Sequence, residues 1–229
     1  MRQRPLRRRK PLPLLFSRGG PRMASEQQSG GVNSAKVTLS KATPSINLTK
    51  PGEQQGVLRV NLNWSRAAKG FFRRSKPVDL DLGCLYELAD GTKGVVQAVG
   101  ENFGSLAGEP YIQLDGDDRS GAVTSGENMH IDLARPELFK RILIFAFIYE
   151  GVPNWAAADG VVTLYPSTGP QVEMRLDSPV DGARSCAIAL LQNNGRGITV
   201  HREVQYINGT QRHIDEAYRW GMQWSSASK

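Results

Sequence analysis

The stretch "VLRVNLNW" (57–64) alternates apolar and polar residues, so an extended backbone puts Leu58, Val60, Leu62 and Trp64 on one face and Arg59, Asn61 and Asn63 on the other. This period of two, repeated along the chain, is what most restricts the fold. Further apolar or alternating runs follow in "LDLGCLYEL", "VVQAV", "YIQL", "MHIDL", "RILIFAFIYE", "VVTLYP", "QVEMRLD", "CAIALLQ" and "ITVHREVQYI". Gly, Pro, Asn and Asp separate them, as in "ADGTKG" (89–94), an Asp-Gly hairpin signal, and "GRG" (195–197), another hairpin turn. About ten short strands at this spacing predict an all-β protein, a β-sandwich of two antiparallel sheets. "PELFKR" (136–141) reads as a single helical turn. Only "TQRHIDEAYRWGMQW" (210–224) has helical spacing, with Ile214, Ala217, Tyr218 and Met222 on one side, and it predicts a short C-terminal helix.

The net charge of +7 is concentrated at the start of the chain. Residues 1–22 hold Arg2, Arg4, Arg7, Arg8, Arg9, Lys10, Arg18 and Arg22 and no acid, so these eight charges exceed the whole surplus and leave the remainder at −1. Three readings of this tail stand: a basic arm for nucleic acid or anionic lipid, a targeting segment, or sequence ahead of a true start at Met23. Composition divides the chain into a disordered basic and polar extension, 1–35, and a folded domain, 36–229. The folded part has no basic excess and is not expected to bind nucleic acid. No run reaches the ~20 apolar residues of a membrane helix. Cys84 and Cys186 sit in apolar strands with no CxxC spacing, which predicts buried free thiols and suits a reducing cytoplasm.

Asp79 and Asp81 are the anomaly within these strands. They share a face of "VDLDLGCLYEL" (78–88), where two like charges repel and burial adds a desolvation cost. A cation, an Arg or Lys, or a wet strand end would each relieve the pair. "LDGDDRSGAVTSGEN" (114–128) adds Asp115, Asp117, Asp118 and Glu127 among Gly and Ser, the hard oxygen donors that Ca²⁺ takes six to eight at a time. The spacing is not that of an EF-hand. His130, His201 and His213 lie far apart and lack zinc-ligand spacing. Trp64, Trp155, Trp220 and Trp224 suit core or lid packing. No nucleophile–base pair appears, so the expectation is a protein that is not an enzyme.

In order and spacing, "VTLSKATPSINLTK", "VNLNW", "VDLDLGCLYEL", "LDGDDRSG", "GENMHIDL" and "FAFIYEG" resemble the TerD/TerA family of tellurium-resistance and stress-response proteins. The tail "VHREVQYINGTQRHIDEAYRWGMQW" resembles the TerA type, and the likeness runs from about residue 36 to 224. It implies a cytoplasmic β-sandwich that binds Ca²⁺ through acidic loops and works through other Ter proteins, near the inner membrane, rather than by catalysis. The family's metal residues would fall on Asp79, Asp81, Asp117, Asp118 and Glu127, with Asn102 in "GENFGS" and Glu150 where the family has Asp, and Asp115 of the same acidic stretch is a further candidate ligand. The family's acidic triplet falls on Ser125, Gly126 and Glu127 and keeps only its last carboxylate, which puts one of two calcium positions in doubt. The competing reading is a calcium-dependent ligand- or membrane-surface-binding sandwich of lectin or C2 type.

Overall fold

The computed structural model describes residues 35–49, 53–65, 78–116, 126–151, 153–179 and 182–225. All its elements fall in the unit Ser34–Lys229. Thirteen strands among the described residues form two sheets. The first contains β1 (Lys36–Thr38), β3 (Val57–Asn63), β6 (Gly104–Ser105), β7 (Ile112–Leu114), β8 (Glu127–Asp132), β10 (Gly160–Tyr165) and β11 (Gln171–Leu176), in the order β1-β11-β10-β3-β8-β7-β6. The second contains β2 (Ser45–Asn47), β4 (Asp79–Leu88), β5 (Lys93–Gln97), β9 (Phe139–Glu150), β12 (Ser185–Asn193) and β13 (Ile198–Ile207), in the order β2-β13-β12-β9-β4-β5. The expected sandwich is therefore present. One detail differs: β1 pairs with β11 in parallel, so the first sheet is not wholly antiparallel.

The inner faces are the alternate residues that the sequence pattern singles out. Leu58, Val60 and Leu62 meet Met129, Ile131, Val162, Leu164, Val172 and Met174 of the same sheet, and Leu80, Leu82, Cys84, Ile144, Ala146 and Ile148 of the other, in one core. Strands β4, β9 and β12 do not alternate, because both of their faces are buried. On the outer face Leu85, Leu143, Phe145 and Ala187 form a second cluster beneath Ile214 and Trp220. This double burial accounts for the unbroken "ILIFAFIY".

The cover over that face is the C-terminal segment, and here the expected helix is corrected. After the single-turn helix α1 (Trp155–Ala158), helix α2 runs only from Gln211 to Tyr218, Arg219 turns left-handed at φ 51°, and Ala217 is exposed. The Asp215 carboxylate ends the helix by accepting the N–H groups of Gly221 (2.7 Å) and Met222 (2.9 Å) and the Trp224 Nε1–H (2.7 Å). Met222 therefore belongs to an extended tail. Trp220 donates Nε1–H to the Tyr86 carbonyl at 3.0 Å, and its own carbonyl accepts from Lys93 Nζ at 2.7 Å. The Arg141 guanidinium lies 3.8 Å from its ring centroid. Arg141 Nε donates to Glu87 Oε2 at 2.6 Å and Lys140 Nζ to Oε1 at 2.8 Å. Two successive residues reach one carboxylate because β9 carries an extra residue between Glu87 and Leu88 in the register. "PELFKR" is a 3-10 turn only over Pro136–Leu138, and from Phe139 it is already β9.

Gly83 leaves room for an aromatic ring. A Cβ there would stand 2.5 Å from the Phe145 ring and 3.0 Å from the Val96 carbonyl oxygen. Gly83→Ala is expected to destabilise the fold by ~1–3 kcal/mol through overpacking, read by denaturant midpoint. Burial alone would raise the pKa of Glu87, but the hydrogen bonds from Lys140 and Arg141, with the charges of Arg141 and Lys93, hold it below the usual carboxylate range. A depressed folded pKa contributes stability above the unfolded value that is lost as pH falls through the folded one. Melting curves between neutral pH and pH ~3 should therefore fall more steeply for wild type than for Glu87→Gln, and the variant should be ~1–3 kcal/mol less stable at neutral pH.

Candidate functional site

Among the described residues, Asp79, Asp81, Glu127 and Glu150 lie towards the end of the sandwich where β4 begins. Trp64, at the end of the β3 alternation, donates Nε1–H to the Val78 carbonyl at 3.0 Å and so anchors the entry to β4. Asp79 then stands opposite Glu150 of β9. The register gains one residue on β9 between Asp79 and Leu80, so the alternation within β4 is intact and Asp79, Asp81 and Gly83 share the outer face of the sheet. Asp81 is only 4% exposed.

Glu127 approaches β4 from the other sheet. Gly126 before it has φ 73°, and a Cβ there would overlap the Leu62 carbonyl oxygen at 2.1 Å, so the chain can enter β8 this closely only at glycine. Leu62 is the register partner of Glu127. Asn61 Nδ2 donates to the Glu127 carbonyl at 3.3 Å and to Asn128 Oδ1 at 3.0 Å, and Arg59 donates to the same Asn128 oxygen at 3.1 Å. With its backbone held, Glu127 points inward, 6% exposed, and its Oε2 accepts the Leu82 N–H at 2.6 Å. That N–H lies one residue beyond the last β4–β5 pair, Gly83 with Gln97. The bond occupies a ladder position for which β5 supplies no partner.

The structure thus brings Asp79 to Glu150, and Glu127 to within one peptide unit of Asp81. It places Asp115 elsewhere, exposed on the outer face of the first sheet with Oδ1 3.3 Å from His130 Nδ1. Asn102 is exposed in the turn after β5, and its Nδ2 braces that turn by donating to the Val95 carbonyl at 2.6 Å. Asp117 and Asp118 lie outside the described residues. Among the described residues, no group of three or more His, Cys, Asp or Glu side chains is positioned to hold a metal ion. The donor chemistry does fit a hard cation, since Asp79, Asp81, Glu127 and Glu150 offer only oxygen and two of them are withdrawn from water.

Cys84 and Cys186 are buried free thiols as expected, and burial pushes the Cys84 thiol up to about 12 and the Cys186 thiol higher still. Neither is poised as a nucleophile. The indoles of Trp155 and Trp220 are fully buried. Sequence reasoning missed the Glu127–Leu82 bond and the His130–Asp115 pair. "SGEN" offered one signal, a glycine immediately before a strand-opening carboxylate.

Fold and site define a two-sheet β-sandwich with an acidic end. The solved structure of a TerD homologue from Streptomyces coelicolor A3(2) shares this fold at TM-score 0.51 and 17% identity, over 74% of this chain and 99% of that one. A solved protein of unknown function shares it at TM-score 0.54 and 14% identity, over 75% of this chain and 100% of that one. In sequence, the tellurium resistance protein TerA of Alcaligenes sp. is 45% identical over 204 residues, 86% of this chain and 60% of that protein. No protein-family model matches. The chain belongs to the TerD/TerA family of tellurium-resistance proteins. It spans about 60% of the length of the curated relative that it matches.

If the Glu127 carboxylate satisfies Leu82 structurally, Glu127→Ala should destabilise by ~1–3 kcal/mol. Glu127→Gln, whose amide oxygen can still accept, should recover most of that loss in metal-free buffer. Paired urea melts with EDTA present measure both.

Proposed function

We propose that the chain is a calcium-binding module of a tellurium-resistance system and acts through contacts with other proteins of that system rather than by catalysis. The observation that supports this best is the burial of the Asp81 carboxylate two residues from Asp79, itself opposite Glu150, with buried Glu127 bonded to the next backbone N–H, that of Leu82. Asp79 and Asp81 share one face of β4, where like charges repel, and a divalent cation held there would turn that repulsion into attraction. Asp79, Asp81 and Glu127 are the residues of the described structure proposed to hold it, and Asp117 and Asp118 are the sequence candidates for completing the shell. The ion's role would be to fix this end of the sandwich as a docking surface. Among the described residues no helix is long and apolar enough to cross a membrane. A place at the inner membrane beside other Ter proteins, reached from the cytoplasm, is part of the same proposal.

Calcium should raise the melting temperature by several degrees, equivalent to ~2–4 kcal/mol at saturation. Magnesium should do less, because it keeps its waters and demands a tight octahedron. Asp79→Asn with Asp81→Asn should abolish most of the response while leaving the calcium-free protein as stable as wild type or more so. Calorimetric titration with paired melting curves decides. No heat and no shift in the wild type would overturn the calcium reading.

A further inference from the structure

The outer face of the first sheet carries a pocket of about 340 Å³. Its floor is one row of polar side chains on three neighbouring strands. Thr163 of β10 stands opposite Asn61 of β3 on one side and Glu173 of β11 on the other. These three are withdrawn from water, with Thr163 7% exposed and Asn61 and Glu173 8% each. Asn63, Ser65 and Tyr165 stand around them. The Tyr165 ring, with the Arg59 guanidinium 3.9 Å from its centroid, adds apolar surface to the wall.

Two features of the pocket define its ligand. Its charged groups are already matched. Lys36 is ion-paired with Glu173, and Arg175 lies 3.8 Å from Asp159 and 3.9 Å from Glu173. A charged ligand would therefore have to compete with these pairs. Its neutral groups, by contrast, are unclaimed. The Thr163 hydroxyl makes no hydrogen bond among the described residues, although the residue is more than nine-tenths buried. It is not sealed off, because it keeps accessible surface where Thr163 lines the pocket. The Asn63 amide and the Ser65 hydroxyl are likewise without a hydrogen bond among the described residues. Buried hydroxyls are normally bonded, so an unbonded one on a pocket floor calls for a partner from the ligand.

We propose that this pocket binds an uncharged sugar through its neighbouring hydroxyls, with Thr163 as the central contact. A sugar hydroxyl both donates and accepts, so it can pair with the Thr163 and Ser65 hydroxyls, the Asn63 amide and the Glu173 carboxylate. The C–H groups of the ring meet the Tyr165 wall. Such a ligand needs no counter-charge from the protein. The inference does not rest on calcium binding, and titrations in EDTA keep the two readings apart.

The full chain is titrated with D-glucose, D-mannose and D-galactose while its backbone amide resonances are followed. At least one sugar should bind saturably, with a dissociation constant on the order of 1 mM, and shift the amides of Asn61, Asn63, Thr163 and Glu173. The methyl glycoside of that sugar separates two sources: equal binding marks a sugar at a chain end, and weaker binding a free sugar, either of which supports the proposal. Inorganic phosphate and putrescine should leave the same amides unmoved. Thr163→Val keeps the branched shape and removes the hydroxyl. It should weaken sugar binding about fivefold, the worth of one hydrogen bond, without lowering the denaturant midpoint, because no hydrogen bond within the protein is lost. No saturable shift with any of the three sugars, tighter binding of phosphate or putrescine at these amides, or unchanged sugar affinity in a folded Thr163→Val variant would each overturn the proposal. Asn63→Ala, at an exposed position, repeats the test if that variant does not fold.

Discussion

A carboxylate oxygen of Glu127 accepts the Leu82 N–H at 2.6 Å, and this bond ties β8 of one sheet to β4 of the other at the acidic end. Much at that end depends on it. It satisfies a backbone donor beyond the reach of β5, and it sets the edge of β4 beside which Asp79 and Asp81 project. A buried carboxylate is costly unless hydrogen-bonded or paired, so Glu127 at this position implies a compensated environment. The backbone amide supplies part of that compensation. The proposed cation would supply more.

The second sheet has a different dependence. Its central strands bury both faces, so its outer face needs a lid, and the lid is made from the last turn of chain after β13. α2 is short, and its placement rests on side chains that reach back from the sheet: Glu87 through Arg141 to the Trp220 ring, and Lys93 to the Trp220 carbonyl. Asp215 folds the tail beyond the helix onto the same surface.

The architecture was largely legible in the sequence because a period of two is a local property. Leu58, Val60 and Leu62 face the core as their spacing implies, and the Asp-Gly and Gly-Arg-Gly turns close the β4–β5 and β12–β13 hairpins. What was not legible came from tertiary contacts. The helical pattern of 210–224 continues past Tyr218 in the sequence, but Asp215 competes for the following N–H groups and stops it. The pairing of Asp79 and Asp81 was readable as an electrostatic conflict. Its neighbours were not, since Glu150 joins it through strand register and Glu127 through a contact between sheets. Asp115 reads as one more member of the acidic loop, yet strand parity turns it to the opposite face, beside His130.

Amide hydrogen exchange resolved along the chain tests the central claim, that a cation fixes the acidic end of the sandwich. The account predicts that calcium slows exchange at Leu82 and its neighbours at the start of β4 and the end of β9, and leaves the β12–β13 turn at 194–197 unchanged. Exchange that is unaffected by calcium at Leu82, or slowed equally at both ends of the molecule, would contradict it.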